Sequence, residues 1–471
     1  MSVASRLAAS ALALAAGLAL AADLLLRAQP IGAGATLWAL ALVAAAALVL
    51  RKREVSRTTQ AIALGAAVVF ALLLSWRTAP LLLLLDLAGL AAALALPLVP
   101  QARLATASLV DIARGGMEWG LGLVVGGAYL IRRDVQLRTL QEPLRSGRGT
   151  AVARGLLLGG PLVILFAALF ATADAVFGNL LADATPHLGG LWSHAFRIAV
   201  WFWLAGGVLW VLGGRSRTFV PHFEAAPPLR LGAVEVTLVL VLLDLLFGAF
   251  VLVQSRAFFG GQAWVQSHAH LTYAQYARQG FFQLLAVAGL ALALVVLLDW
   301  AQERRSAATT VLAAIFVLLV AAVMVSALQR MRLYQREYGL TELRLYSTAF
   351  MLWLAVVLAW LGATVLRGRR ERFAAGLVGS GLVAIVALNL VNPDALIARV
   401  NLDRAAEGKQ VDYSYLRTLS ADAAPTLAGQ VDARAMASLV ACDTGWGSWN
   451  LSRNRAQDVV CPPSGDGGAD E

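Results

Sequence analysis

Four charged side chains stand where the surrounding sequence makes charge costly. Asp174 lies in Ala171–Phe177, and Asp244 lies thirteen residues beyond Leu231 in an apolar run. Arg278 and Arg332 follow in the next two polar stretches. Charges inside a bilayer face the bundle interior or a water-filled cavity, where they pair. Arginine suits such a place because its planar fork bonds a carboxylate through two parallel N–H groups. The stretch Gln329–Tyr346 adds Arg330, Arg336, Arg344, Glu337, Glu342, Tyr334, Tyr338 and Tyr346, and the stretch before it adds Arg256, Tyr273 and Tyr276. Asp174, Asp244, Tyr273, Tyr276, Arg278, Arg332, Tyr334, Glu337 and Arg344 therefore form the candidate polar cluster. It could be an outward-facing pocket for an anionic headgroup, solute or peptide. The plainer reading is a set of interhelical ion pairs with tyrosines as interfacial anchors. A third is a proton or ion pathway through Asp174 and Asp244.

Other chemistries find little support. His187, His194, His268 and His270 do not make a zinc site, which needs three or four converging ligands; they read as loop histidines without a role. The glycines of Gly115–Gly122 and Gly126-Gly127 lack the Lys-Ser/Thr and the preceding strand of a phosphate loop, and close helix packing explains them better. There is no Gly-x-Ser-x-Gly and no His-Glu-x-x-His. No metal and no cofactor is expected.

The elements that must carry these groups are membrane helices. The 471 residues are 59% hydrophobic and 14% charged, against about a quarter charged in soluble domains, and the mean hydropathy is +0.73. The net charge of +10 does not indicate nucleic acid. From residue 392 onward there are 11 acidic and 7 basic residues, a net of −4, which leaves +14 for the remainder. Nearly all of that is Arg in short loops between apolar runs, the pattern that sets membrane topology.

Apolar runs of the roughly 20 residues needed to cross a bilayer fall at 6–26, 31–50, 60–76 and 81–100, then at 155–178, 195–214, 231–254, 279–299, 307–328, 345–366 and 373–391. The first resembles an uncleaved signal anchor. Between the two sets, 104–131 reads as an interfacial helix or re-entrant pair, because the Arg-rich loop after it belongs inside. The expected fold class is an all-α polytopic membrane helix bundle of about eleven spans, with the N-terminus cytoplasmic and the C-terminus outside. Its parts are four N-terminal spans (1–100), the ambiguous segment and Arg-rich loop (101–154), a seven-span core (155–391), a helical tail (392–461) and a disordered end (462–471).

Asn392-Pro393-Asp394 ends the last span and can cap a helix at 394–406 in the tail, with further helices near 412–420 and 425–440. Cys442 and Cys461 are the only cysteines and both lie in this tail, so topology puts them where a disulfide can form.

The stretches Ala173–Phe177, Tyr273–Leu284, Arg332–Thr341, Asn392-Pro393-Asp394 and Asp412–Leu416 carry a resemblance. Over about 150–430 the sequence resembles the bacterial membrane-protein family of unknown function numbered 4173, which is related to the one numbered 4153. The resemblance implies a bacterial inner-membrane protein without an assigned activity and a variable hydrophobic N-terminus. The leading functional expectation is a non-enzymatic protein that binds or senses a ligand or partner at the outer face. Its partners are the lipid bilayer and a further membrane protein. The alternatives are a secondary transporter and a membrane-embedded transferase acting on a lipid-linked substrate.

Overall fold

The computed structural model describes residues 3–27, 30–51, 53, 55–99, 104–134, 163, 170, 174, 176–177, 190–213, 230–259, 281–303, 305–430, 440, 442 and 445–461. The longer helices among them are α1 (Val3–Leu25), α2 (Ala33–Leu50), α3 (Arg57–Leu73), α4 (Pro80–Ala95), α5 (Leu109–Asp134), α6 (Gly190–Leu212), α7 (Ala233–Phe259), α8 (Phe281–Ala301), α9 (Ala307–Tyr338), α10 (Glu342–Thr364) and α11 (Phe373–Val391). The tail adds α12 (Pro393–Ala406), α13 (Tyr413–Leu416), α14 (Ala424–Leu427) and α15 (Leu451–Val460). No β-strand occurs among the described residues, and the fold is all-α.

Eight of these helices are long and apolar enough to cross a membrane, and Ser10–Leu25 and Arg57–Leu73 are shorter apolar helices. This is a multi-pass integral membrane protein. The eight do not add up to the eleven expected from the sequence, in part because most of the run at 155–178 lies outside the described residues. Helices such as α2 are apolar on every face, as a segment surrounded by lipid and other helices must be.

Two large apolar cores lie within the bundle, with a smaller one around Phe281, Val323 and Met351. The first joins α1 to α4 and α6, with Ala15, Ala39, Ala46, Ala67 and Ala71 packed among leucines such as Leu42, Leu50 and Leu209. The second joins α7 to α11 through Val236, Leu240, Phe316, Val320, Leu354 and Leu361. Small residues matter because helices in lipid associate by close backbone approach rather than by expelling water.

The glycine-rich stretch uses this device. A Cβ at Gly126 would sit 2.7 Å from the Cα of Gly207, and one at Gly127 would sit 3.0 Å from Trp203. Gly116 and Gly120 have nothing within 4 Å of an added Cβ, so only part of the stretch is a packing face. The segment expected as an interfacial helix or re-entrant pair is one unbroken helix, α5, with no chain reversal.

The stretch 329–338, read as a loop, is the last part of α9. That helix has 32 residues, about 48 Å at 1.5 Å each. It ends at Gly339, whose φ of 77° suits glycine.

Candidate functional site

The expected cluster does not assemble from its described members. Asp174 is exposed, and its Oδ1 accepts a bond from the Phe177 amide at 2.7 Å, a local turn contact. Asp244 has both carboxylate oxygens buried without a hydrogen-bond partner among the described residues. Arg332 and Glu337 are exposed on the end of α9. No hydrogen bond or ion pair joins Asp174, Asp244 and Arg332 among the described residues. Tyr273, Tyr276 and Arg278 lie outside those residues, as do His187, His268 and His270.

Arg344 and Tyr334 do meet, with the guanidinium 4.1 Å from the ring centroid. Arg344 also donates to the carbonyls of Tyr338 and Gly339 at 3.0 and 2.6 Å. Arg404 of α12 donates to the Arg336 carbonyl and, at 2.9 Å, to that of Glu337. These four carbonyls are the unpaired acceptors at a helix C-terminus, where cations are favoured. Arg344 is therefore a capping group, and its positive charge answers the helix end rather than a buried aspartate. His194, expected to be idle, holds Asp23 of α1 through Nδ1 at 2.6 Å, and Arg197 holds the other carboxylate oxygen at 2.8 Å.

The polar groups that converge lie where the tail meets the bundle. The tail grips three turns at one end of the helices. At the α1–α2 turn the Ala33 amide donates to the Trp449 carbonyl at 2.8 Å. A Cβ on Gly32 would fall 2.6 Å from the Ser448 and Trp449 backbone. At the α9–α10 turn, Asn401 exchanges two bonds with the Leu340 backbone, at 2.8 and 3.2 Å, and the Glu342 amide donates to the Tyr415 hydroxyl at 2.8 Å.

The α3–α4 turn is held most firmly. Asp422 Oδ2 accepts from the Thr78 amide (2.7 Å), the Thr78 hydroxyl (2.9 Å), the Ala79 amide (3.0 Å) and Ser420 Oγ (3.1 Å). In return Asn450 donates to the Arg77 carbonyl at 3.0 Å, and the Leu451 amide donates to that of Ser75 at 2.9 Å.

Arg77 is the hinge of this arrangement. It is buried and lies 3.6 Å from Asp422 Oδ1, and its Nε donates to the Asn389 carbonyl of α11 at 2.9 Å. Burial pulls its pKa down, and the Asp422 carboxylate beside it pushes back. From Asn389 the chain of contacts runs inward, since its Nδ2 donates to Asp86 Oδ1 at 2.8 Å and to the Ile385 carbonyl at 3.1 Å. Asp86 and Asn389 are fully buried, and so is Asp394 of α12. Asp394 Oδ2 accepts from the Ser420 amide at 2.9 Å, and burial raises its pKa despite the bonds from Ser420.

The sequence placed the Asn-Pro-Asp motif at the end of the last span, where it is found, but also gave it a side-chain capping role that it does not take. Asn392 does not cap α12 through its side chain; it adopts φ 55° in the left-handed region and closes α11. Asp86 was visible only as one acid in an apolar run. Its partner Asn389 is remote in the chain, so no local pattern marks it. The tail has two further features. Cys442 and Cys461 are joined as a disulfide with their Cα atoms 5.7 Å apart. Helix α15 was not expected, although Asn450, which accepts from the Ser452 and Arg453 amides, is an ordinary N-cap signal.

A family model described as a domain of unknown function, DUF4153, matches residues 64–430. The chain belongs to this family. The number is that of the related family rather than 4173, and the match begins within α3 instead of near residue 150. The DUF4153 stretch contains Arg77, Asp86, Asn389, Asp394 and Asp422, whereas Asn450, Cys442 and Cys461 follow it. No curated protein and no solved structure matches the chain.

Proposed function

We propose that this protein is a non-enzymatic binding or sensing component of the bacterial cytoplasmic membrane, with the tail as a docked module at the outer face. The observation that carries the reading is the buried polar seam between tail and bundle, from Asp422 through Arg77 and Asn389 to Asp86. A module held only by a flexible linker needs no such seam. One threaded into the interior can transmit whether it is docked.

Orientation is supported by charge. Arg305, Arg367, Arg369, Arg370 and Arg372 lie at the end opposite the tail, where Arg305 Nη1 bonds the Val365 carbonyl at 2.7 Å. Basic loops stay in the cytoplasm, and a disulfide belongs outside it. The same contacts support eleven spans. Arg53, in the α2–α3 turn, donates to the Leu212 carbonyl, so α6 ends where α2 ends. Asp23 and His194 put the start of α6 at the tail end. The end of α4 and the start of α6 therefore stand at opposite ends of the bundle, which fits eleven spans in all.

The test has two parts. A periplasm-dependent phosphatase fused after Val460 should be active, and an inactive fusion there would overturn the reading. In cells lacking the protein, Asp422→Ala should fail to restore the wild-type phenotype even when it accumulates normally in the membrane.

A further inference from the structure

We infer that Trp446 and Trp449 seat the tail in the phospholipid headgroup layer, so that lipid holds it on one side and the bundle on the other. The inference rests on the helices being membrane spans, not on what the docked tail does. Residues Trp446–Ser448 form a tight 3₁₀ turn that Trp449 closes, its amide donating to the Trp446 carbonyl at 3.1 Å. Side chains three residues apart eclipse in such a turn, so the two indole rings leave it on the same side. Trp446 is 66% exposed and Trp449 is 48% exposed, while Gly447 and Ser448 between them are buried. The turn thus sets its small residues against the bundle and its two largest outward.

The depth of this turn is fixed by α2, one of the spans. The Trp449 carbonyl accepts from the amide of Ala33, the first residue of that helix. A Cβ on Gly34 would fall 3.2 Å from the Gly447 carbonyl oxygen and closer still to that of Leu25, the end of α1. Arg453 ties the turn down, donating to the Ser448 carbonyl and, at 3.5 Å, to that of Ile31. The two rings therefore stand where α1 ends and α2 begins, at the edge of the apolar layer. Leu24, Ile31 and Leu37, all within about one helical turn of these contacts, are exposed as lipid-facing side chains are. Indole suits that edge because its apolar body meets acyl chains while its N–H finds phosphate, ester or water. The neighbouring α15 exposes Asn454, Arg455, Asp458 and Val459, a mostly polar set that suits water.

The full-length protein, grown with fluorinated tryptophan, is placed in nanodiscs of phosphatidylethanolamine and phosphatidylglycerol. The fluorine resonances of the two rings are assigned by their loss in Trp446→Phe and in Trp449→Phe. Each variant keeps the other ring, whose unchanged shift reports that the turn still folds. Lipid carrying a nitroxide at the headgroup end of its acyl chain should erase both resonances in the wild type. Resonances that survive the nitroxide would overturn the inference. If a water-soluble gadolinium chelate then erases them, the rings face water; if neither probe does, a second copy of the chain covers them. Either result, with Asp422→Ala still failing in cells, leaves the docked-tail reading standing.

Discussion

Asp86 and Asp244 are both carboxylates within membrane helices, yet their surroundings differ. Asp86 sits on α4 with Asn389 against one oxygen, and through Asn389 it reaches Arg77 and the tail. Asp244 sits on α7 with neither oxygen bonded among the described residues. The difference lies in what each helix packs against. Helix α4 faces α11 where that helix ends and the tail begins, so polar groups from three elements meet. Helix α7 presents Leu238, Leu242, Leu245 and Leu246 outward, each more than half exposed, as a lipid-facing helix does. A carboxylate is costly in either place, and only the first has partners to offset the cost.

Removing the hinge should have the largest effect. Arg77→Ala leaves Asp422 buried without its counter-charge and should cost about 3–5 kcal/mol. It should also make the tail sensitive to protease before the bundle melts. A loss below about 1 kcal/mol would mean that the seam does not hold the tail. Next comes the disulfide. Its 19-residue separation predicts about 3 kcal/mol from chain entropy, so Cys442→Ser should lower the tail's protection from hydrogen exchange and leave that of α1 to α11 unchanged.

The two aspartates can then be set against each other. Asp86→Leu orphans an Asn389 donor and should lower stability by roughly 1–3 kcal/mol, whereas Asp244→Leu should raise it. A loss at Asp244 instead would show that this carboxylate has a partner, as the sequence suggested.

A smaller effect depends on pH. Burial raises the Asp394 pKa, so the folded protein binds that proton more tightly than the unfolded chain. The contribution is fully present below the ordinary value of about 4 and is lost as pH rises through the raised pKa. The Tm advantage of Asp394→Asn over wild type should therefore grow with pH across that window. A constant difference would show that Asp394 does not titrate there. Smallest of all, Tyr334→Ala removes a ring from beneath Arg344 and should cost about 0.5–1 kcal/mol. Arg344 would still cap α9.

Much of this architecture was legible from local pattern. Bilayer thickness fixes how long an apolar run must be, so α11 was expected at 373–391 and is found there. The other late spans fall within a few residues of their expected places. Helix ends were harder, because Arg and Tyr in 329–338 read as a loop while the residues are good enough helix formers to extend α9 by about three turns.

The site was the least legible part. Charge in an apolar run marks cost, not partnership, and on that ground the sequence put Asp174 and Asp244 in the candidate cluster. By itself the sequence determined a multi-pass helical membrane protein and the runs that make most of its helices. These follow from composition and spacing along one dimension. Only the tertiary structure decided that Arg77 meets Asn389 and Asp422, more than three hundred residues away, and that Asp86 rather than Asp174 belongs to the seam. The physical reason is that pairing between distant charges depends on which helices become neighbours. Helices apolar on all sides carry no sequence signal that says which face will meet which.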